Sequence, residues 1–76
     1  MKESCKIMTK YVLIFCNDDN TVWKVHKYKT KKQYLKDVAY YLETFPQLMC
    51  IDENTFLFSD NAMVKRARKS KKIYVL

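Results

Sequence analysis

No glycine occurs anywhere in the 76 residues of this chain. Average usage of about 7 % would place around five in a soluble chain of this length. Their absence removes every device that depends on glycine's access to positive φ, including phosphate-cradling loops, dinucleotide-binding fingerprints and glycine hinges. The signature segments of the RNA-recognition motif and the KH domain use glycines as well, so neither is matched. A chain this short buries only roughly 60 % of its unfolded surface. One small domain spanning residues 1–76 is therefore expected, with no room for a catalytic domain and a regulator together.

The apolar run from Tyr11 to Cys16 is too short for a secretory signal and ends at once in Asn17, Asp18, Asp19 and Asn20, and nothing in the chain reads as entering a membrane. Cys5, Cys16 and Cys50 are odd in number and lack paired spacing, so they read as thiols in a reducing, cytoplasmic setting. Six Tyr, four Phe and one Trp are too many aromatics for a disordered tail, and the net charge of +7 must ride on a folded body.

Residues 1–9 show no clear periodicity and are read as a loose N-terminal segment. Two β-rich segments, 11–16 and 21–28, flank a short polar turn and predict a hairpin. Closed symmetrically about Asp18 and Asp19, it pairs Val12 with Val25, Ile14 with Trp23, Leu13 with Lys24 and Tyr11 with His26. One face is then Val12, Ile14, Trp23 and Val25; the other carries Tyr11, Leu13, Phe15, Val22, Lys24, His26 and Tyr28. Thr30 to Gln33 matches a capping box and opens a helix whose stripe is Leu35, Val38, Leu42 and Phe45, stopped by Pro46. Segments 48–51 and 55–59 read as a second hairpin around Asp52, Glu53 and Asn54. Asp60 or Ser59 caps a short helix through Ser70, and Ile73 to Leu76 form a last strand. The expected fold class is α+β: an antiparallel sheet from two hairpins plus a C-terminal strand, packed by one or two helices.

The charge is concentrated. Lys65, Arg66, Arg68, Lys69, Lys71 and Lys72 place six cations in eight residues, and on a helix Lys65, Arg68, Lys69 and Lys72 share one face. Such a stripe can follow a phosphate backbone, because each neutralised phosphate releases counterions. Its plainer reading is a solvated helix face whose last-turn cations complement the dipole. Lys31 and Lys32 sit in the first turn of the first helix, where cations oppose the dipole and a bound phosphate would offset them. A lysine-rich composition, thirteen Lys to two Arg, is the plainer explanation and the one favoured.

Lys24 and Tyr28, with Tyr11, Phe15 and His26, would form a sheet face on which bases stack while cations hold phosphates; the same rings could instead be core. His26, the only histidine, reads as a surface residue, and no close ligand pair suggests zinc. The acidic residues fall in turns, where Asp stabilises the backbone locally. No catalytic constellation, metal or cofactor is implied.

Two functions follow. The first is a small, basic, non-enzymatic nucleic-acid-binding protein, with RNA favoured over DNA, using Lys65, Arg66, Arg68, Lys69, Lys71 and Lys72 with Lys24, Tyr28, Lys31 and Lys32 as an extension. The alternative is a viral or phage-type inhibitor or adaptor that docks on an acidic surface of a host protein, such as a nucleic-acid-processing enzyme. The terminal strand also offers an edge through which two copies could pair.

Overall fold

The computed structural model describes residues 10–76, so the loose segment expected over 1–9 lies outside the described residues. β1 (Tyr11–Cys16) and β2 (Val22–Tyr28) form the expected antiparallel hairpin. Its pairs are Tyr11 with Tyr28, Leu13 with His26 and Ile14 with Val25, two positions away from the symmetric register. A shift of two preserves which face each side chain occupies, since the period of a strand is two. The turn explains the shift. Asn17 N–H donates to the Thr21 carbonyl at 2.8 Å, and Asn20 takes φ 64°, the one positive φ among the described residues. In a chain without glycine, asparagine is the residue that tolerates that left-handed position.

Between the pairs Phe15–Lys24 and Cys16–Val22 the register slips by one residue. This bulge corrects two facial assignments, because Trp23 packs with Phe15 and Phe45 while Val22 packs with Val12 and Ile14.

The 14-residue α1 (Lys31–Thr44) begins where the capping box predicts, with Thr30 Oγ1 accepting from the Gln33 N–H at 3.3 Å. The reciprocal half of the box is missing, since the Gln33 amide donates to Asp37 instead. The packed stripe is Tyr34, Val38, Tyr41 and Phe45, one step round from the expected one; Leu35 and Leu42 are exposed. Rings decide this. Tyr34 stacks on Tyr11 at 4.7 Å, and Tyr41 and Phe45 meet Phe15 edge-on at 5.1 and 5.7 Å. Aromatic pairs of this geometry add stabilisation beyond area burial.

β3 (Met49–Asp52) pairs antiparallel with the other side of β1. The expected second hairpin is not formed: Glu53–Phe58 is a helix, α2. Asp52 Oδ1 accepts the Thr55 N–H at 2.8 Å and so supplies an N-cap, while Phe56 alone of the segment's large apolar residues is buried and Leu57 and Phe58 face outward. Local capping and the place of Phe56 in the core override the β propensity of Thr55 to Phe58.

α3 (Ala62–Arg68) is capped by Asn61, not by Asp60 or Ser59: Asn61 Oδ1 accepts from the N–H groups of Met63 and Val64 at 2.8 and 3.3 Å. It stops at Arg68, short of the expected Ser70.

β4 (Ile73–Val75) then runs parallel to β2, and the sheet order is β3-β1-β2-β4. The sheet is thus mixed, where a purely antiparallel one was expected. The reason is where the chain arrives. The Arg66 guanidinium donates to the Asn20 carbonyl in the β1–β2 turn, so α3 delivers the chain to the end of the sheet at which β2 begins. Val25 N–H then bonds the Lys72 carbonyl at 2.9 Å and Leu76 N–H the Lys27 carbonyl at 2.8 Å.

The result is an α+β domain of three layers. Val12, Ile14 and Val25 face Phe56 of α2 and Val64 and Ala67 of α3; Leu13, Phe15 and Tyr28 face α1.

Candidate nucleic-acid interface

Lys65, Arg68, Lys69 and Lys72 do not share one helix face as expected, because α3 ends at Arg68 and Lys71 and Lys72 belong to the connection into β4. The arginines are partly occupied. Arg68 is half-buried and its Nη1 donates to the Phe56 carbonyl at 2.8 Å, tying α3 to α2; Arg66 holds the β1–β2 turn and also reaches Met63 Sδ at 3.6 Å. Lys65, Lys69, Lys71 and Lys72 are exposed and make no ion pair among the described residues. Lys65 and Lys69 lie one turn apart on and just after α3, and the Lys72 carbonyl accepts from the N–H of Val25, the residue after Lys24.

Lys24 is half-buried, with Nζ over the rings of Phe15 (4.7 Å), Trp23 (5.0 Å) and Tyr41 (5.8 Å). A cation so placed is attracted by the ring faces and keeps its charge at the surface. Lys31 and Lys32 are exposed at the opposite end of β2, about 13 Å of strand away from Lys24 at 3.3 Å per residue. They form no continuous track with the α3 group.

Tyr28 cannot serve as a stacking platform. Its ring is fully buried, as are Leu13 and Phe15, because α1 covers this sheet face. His26, expected at the surface, is only 7 % exposed and sits among the rings of Phe15, Tyr28, Tyr41 and Tyr74.

A polar chain that periodicity did not reveal satisfies the polar atoms buried there. The Tyr28 hydroxyl donates to Asp37 Oδ2 at 2.7 Å, Gln33 Nε2 donates to Asp37 Oδ1 at 2.9 Å, and His26 Nδ1 lies 3.1 Å from the Tyr28 oxygen. Tyr28 has one proton and gives it to Asp37, so Nδ1 must carry the hydrogen of neutral His26. Burial, reinforced by the Lys24 charge and opposed by Asp37, holds His26 below its ordinary value of 6.5. Burial and the bond to Asp37 push the Tyr28 phenol well up. The available signal was Asp37 itself: three residues after Tyr34 and four before Tyr41, it lies on the packed stripe and needs a buried donor.

A second feature missed from the sequence is a cleft of about 270 Å³ between the β1–β2 turn and the end of α1. Trp23, Phe45 and Pro46 give it apolar lining, and Asn17, Asp18 and Gln47 give it polar groups. The bulge produces it by turning Trp23 onto the α1 side, where its ring centroid is 5.5 Å from that of Phe45. The Cys16 thiol also lines it and is pushed up by burial.

Comparisons with protein-family models, curated protein sequences and solved structures find no match to this chain. Among the described residues no helix is long and apolar enough to cross a membrane.

Proposed function

We propose that this protein is a small, basic, non-enzymatic binder of nucleic acid that contacts phosphates through Lys65, Lys69, Lys71 and Lys72. The observation that carries the reading is their state: four exposed ammonium groups within eight residues, without ion pairs among the described residues. Unpaired cations at this density repel one another, bound phosphates offset that repulsion with their own charge, and each phosphate neutralised releases condensed counterions. Arg66 and Arg68 act chiefly as structural ties in this scheme, and Lys24, beside the Val25 whose N–H bonds the Lys72 carbonyl, extends the group onto β2.

Because the ring platform on the sheet is covered, the preference for RNA over DNA rests on direct comparison of ligands. Fluorescence polarisation with RNA, single-stranded DNA and duplex DNA at two salt concentrations tests the proposal. Four neutralised phosphates give a slope of log K against log salt of about −3 on single strands. Absence of binding to all three at low salt would defeat it.

A second reading has its own support. β4 is an edge strand on which Tyr74 and Val75, with Leu76 just beyond it, are about half exposed, next to Lys71 and Lys72. An acidic protein segment adding to this edge would gain main-chain hydrogen bonds and charge complementarity. Pairing of two copies through the same edge is its homodimeric form. A stoichiometric protein partner retained after nuclease treatment of a lysate favours this reading over the first.

A further inference from the structure

We infer that the cleft beside Trp23 receives one unstacked nucleobase of a single-stranded nucleic acid, with Lys24, Lys71 and Lys72 at the flanking phosphates. The inference rests on the phosphate-binding reading above and adds to it a strand class and a base-reading site.

Size is the first argument. At about 270 Å³ the cleft falls just below the usual range for small-molecule sites and suits a single planar heterocycle. A base held in a duplex is stacked on both faces and cannot enter, so the ligand is a single strand.

Chemistry is the second. Trp23 and Phe45 offer aromatic surface, and base–aromatic stacking contributes strongly to single-strand binding. Gln47 supplies a donor and an acceptor to a ligand edge, Asp18 supplies acceptors, and Asn17 supplies its amide oxygen, since its Nδ2 donates to Thr21 Oγ1 at 2.8 Å. An apolar peptide side chain would leave those groups unpaired, whereas a base edge satisfies them. Asp18 oxygens accept hydrogen bonds, and at ring carbon C4 cytosine presents an amino donor where uracil presents a carbonyl acceptor, so a base read there by Asp18 is cytosine in preference to uracil.

Position is the third. The Lys72 carbonyl accepts from the N–H of Val25, two residues after Trp23 and next in the chain to Lys24, and the Arg66 bond to Asn20 brings α3 to the turn that lines the cleft. The basic connection and the cleft therefore occupy the same end of the sheet.

Trp23 is the chain's only tryptophan, so its emission reports on the cleft. The full chain is titrated with oligocytidine, oligouridine and base-free polyphosphate of matched charge, following both polarisation and tryptophan emission. Oligocytidine is expected to bind, to change Trp23 emission where polyphosphate does not, and to bind more tightly than oligouridine. The decisive variant is Asp18→Asn, at an exposed turn position. Removing a negative charge should tighten polyphosphate binding, yet weaken oligocytidine binding by about tenfold through loss of a charged hydrogen bond. If oligocytidine binds but leaves Trp23 emission unchanged, or if Asp18→Asn tightens both ligands alike, the base site is refuted while phosphate binding stands. Failure of every oligonucleotide to bind at low salt overturns both.

Discussion

His26 shows how a single ionisable residue acquires a role from what surrounds it. Its Nδ1–H is committed to Tyr28, so an added proton must go to Nε2, inside a ring-lined site close to the Lys24 ammonium. Only Asp37, beyond the Tyr28 hydroxyl, favours the charged form. Because the folded pKa is depressed, the unfolded chain binds a proton that the folded chain refuses. Stability should therefore be full above pH 6.5 and decline as the pH falls below that value. Urea midpoints measured between pH 7 and 5 check the sign, and His26→Phe should flatten the slope in that window. Tyr28→Phe leaves Nδ1–H and a carboxylate oxygen of Asp37 without their partner. His26 is buried and Asp37 half-buried, so a loss of about 1–3 kcal/mol is expected for the unsatisfied groups, measured by the same denaturant titration, with the three-layer fold retained by circular dichroism.

At the scale of elements, the helices after β3 depend on caps more than on apolar faces. α2 has six residues and α3 seven, lengths at which isolated helices do not persist in water. Asn61 satisfies two N–H groups at the start of α3, so Asn61→Ala should cost about 1 kcal/mol. Asn61→Asp should keep most of that stability, which separates capping from side-chain packing. Asp52 performs the corresponding service for α2, and its bonds to Thr55 hold its carboxyl below the ordinary 3.8. Its cap is present above that value and is lost as acid protonates it, so α2 should loosen at lower pH than the transition governed by His26. Hydrogen exchange at Thr55 against pH would show the order of the two events. The register bulge belongs to this scale as well. It places Trp23 beside Phe45 and thereby makes the cleft, and a turn variant that removed the slip would close it.

Across the whole molecule, the excess charge is arranged so that folding does not neutralise it. Replacing Lys65, Lys69, Lys71 and Lys72 together by Ser lowers the net charge from +7 to +3. None of the four holds an ion pair among the described residues, so thermal stability should be unchanged or slightly higher as self-repulsion falls. Nucleic-acid affinity should fall steeply, and the salt slope should flatten toward zero. Arg68→Ala should behave in the opposite way, with lower stability through loss of the bond to the Phe56 carbonyl and a smaller change in slope. Differential scanning fluorimetry beside polarisation distinguishes the two patterns.

Much of this organisation is legible in the order of residues, where the determinants are local. The β1–β2 hairpin, the start of α1 at Thr30, the helix over α3 and the terminal strand follow from alternation, capping chemistry and turn residues, which act over a few positions. The concentration of cations in residues 65–72 is likewise a property of the chain alone. Tertiary contacts decided what depends on distant partners. The Arg66 bond to Asn20 belongs with β4 running parallel to β2, and the place of Phe56 in the core, with the Asp52 cap, made Thr55 to Phe58 helical. The aromatic face of α1 buried Tyr28 and His26, and a one-residue slip created the cleft. The physical reason is the range of the forces: caps and turns are satisfied within one segment, whereas burial and register are settled only when several segments compete for the same surface.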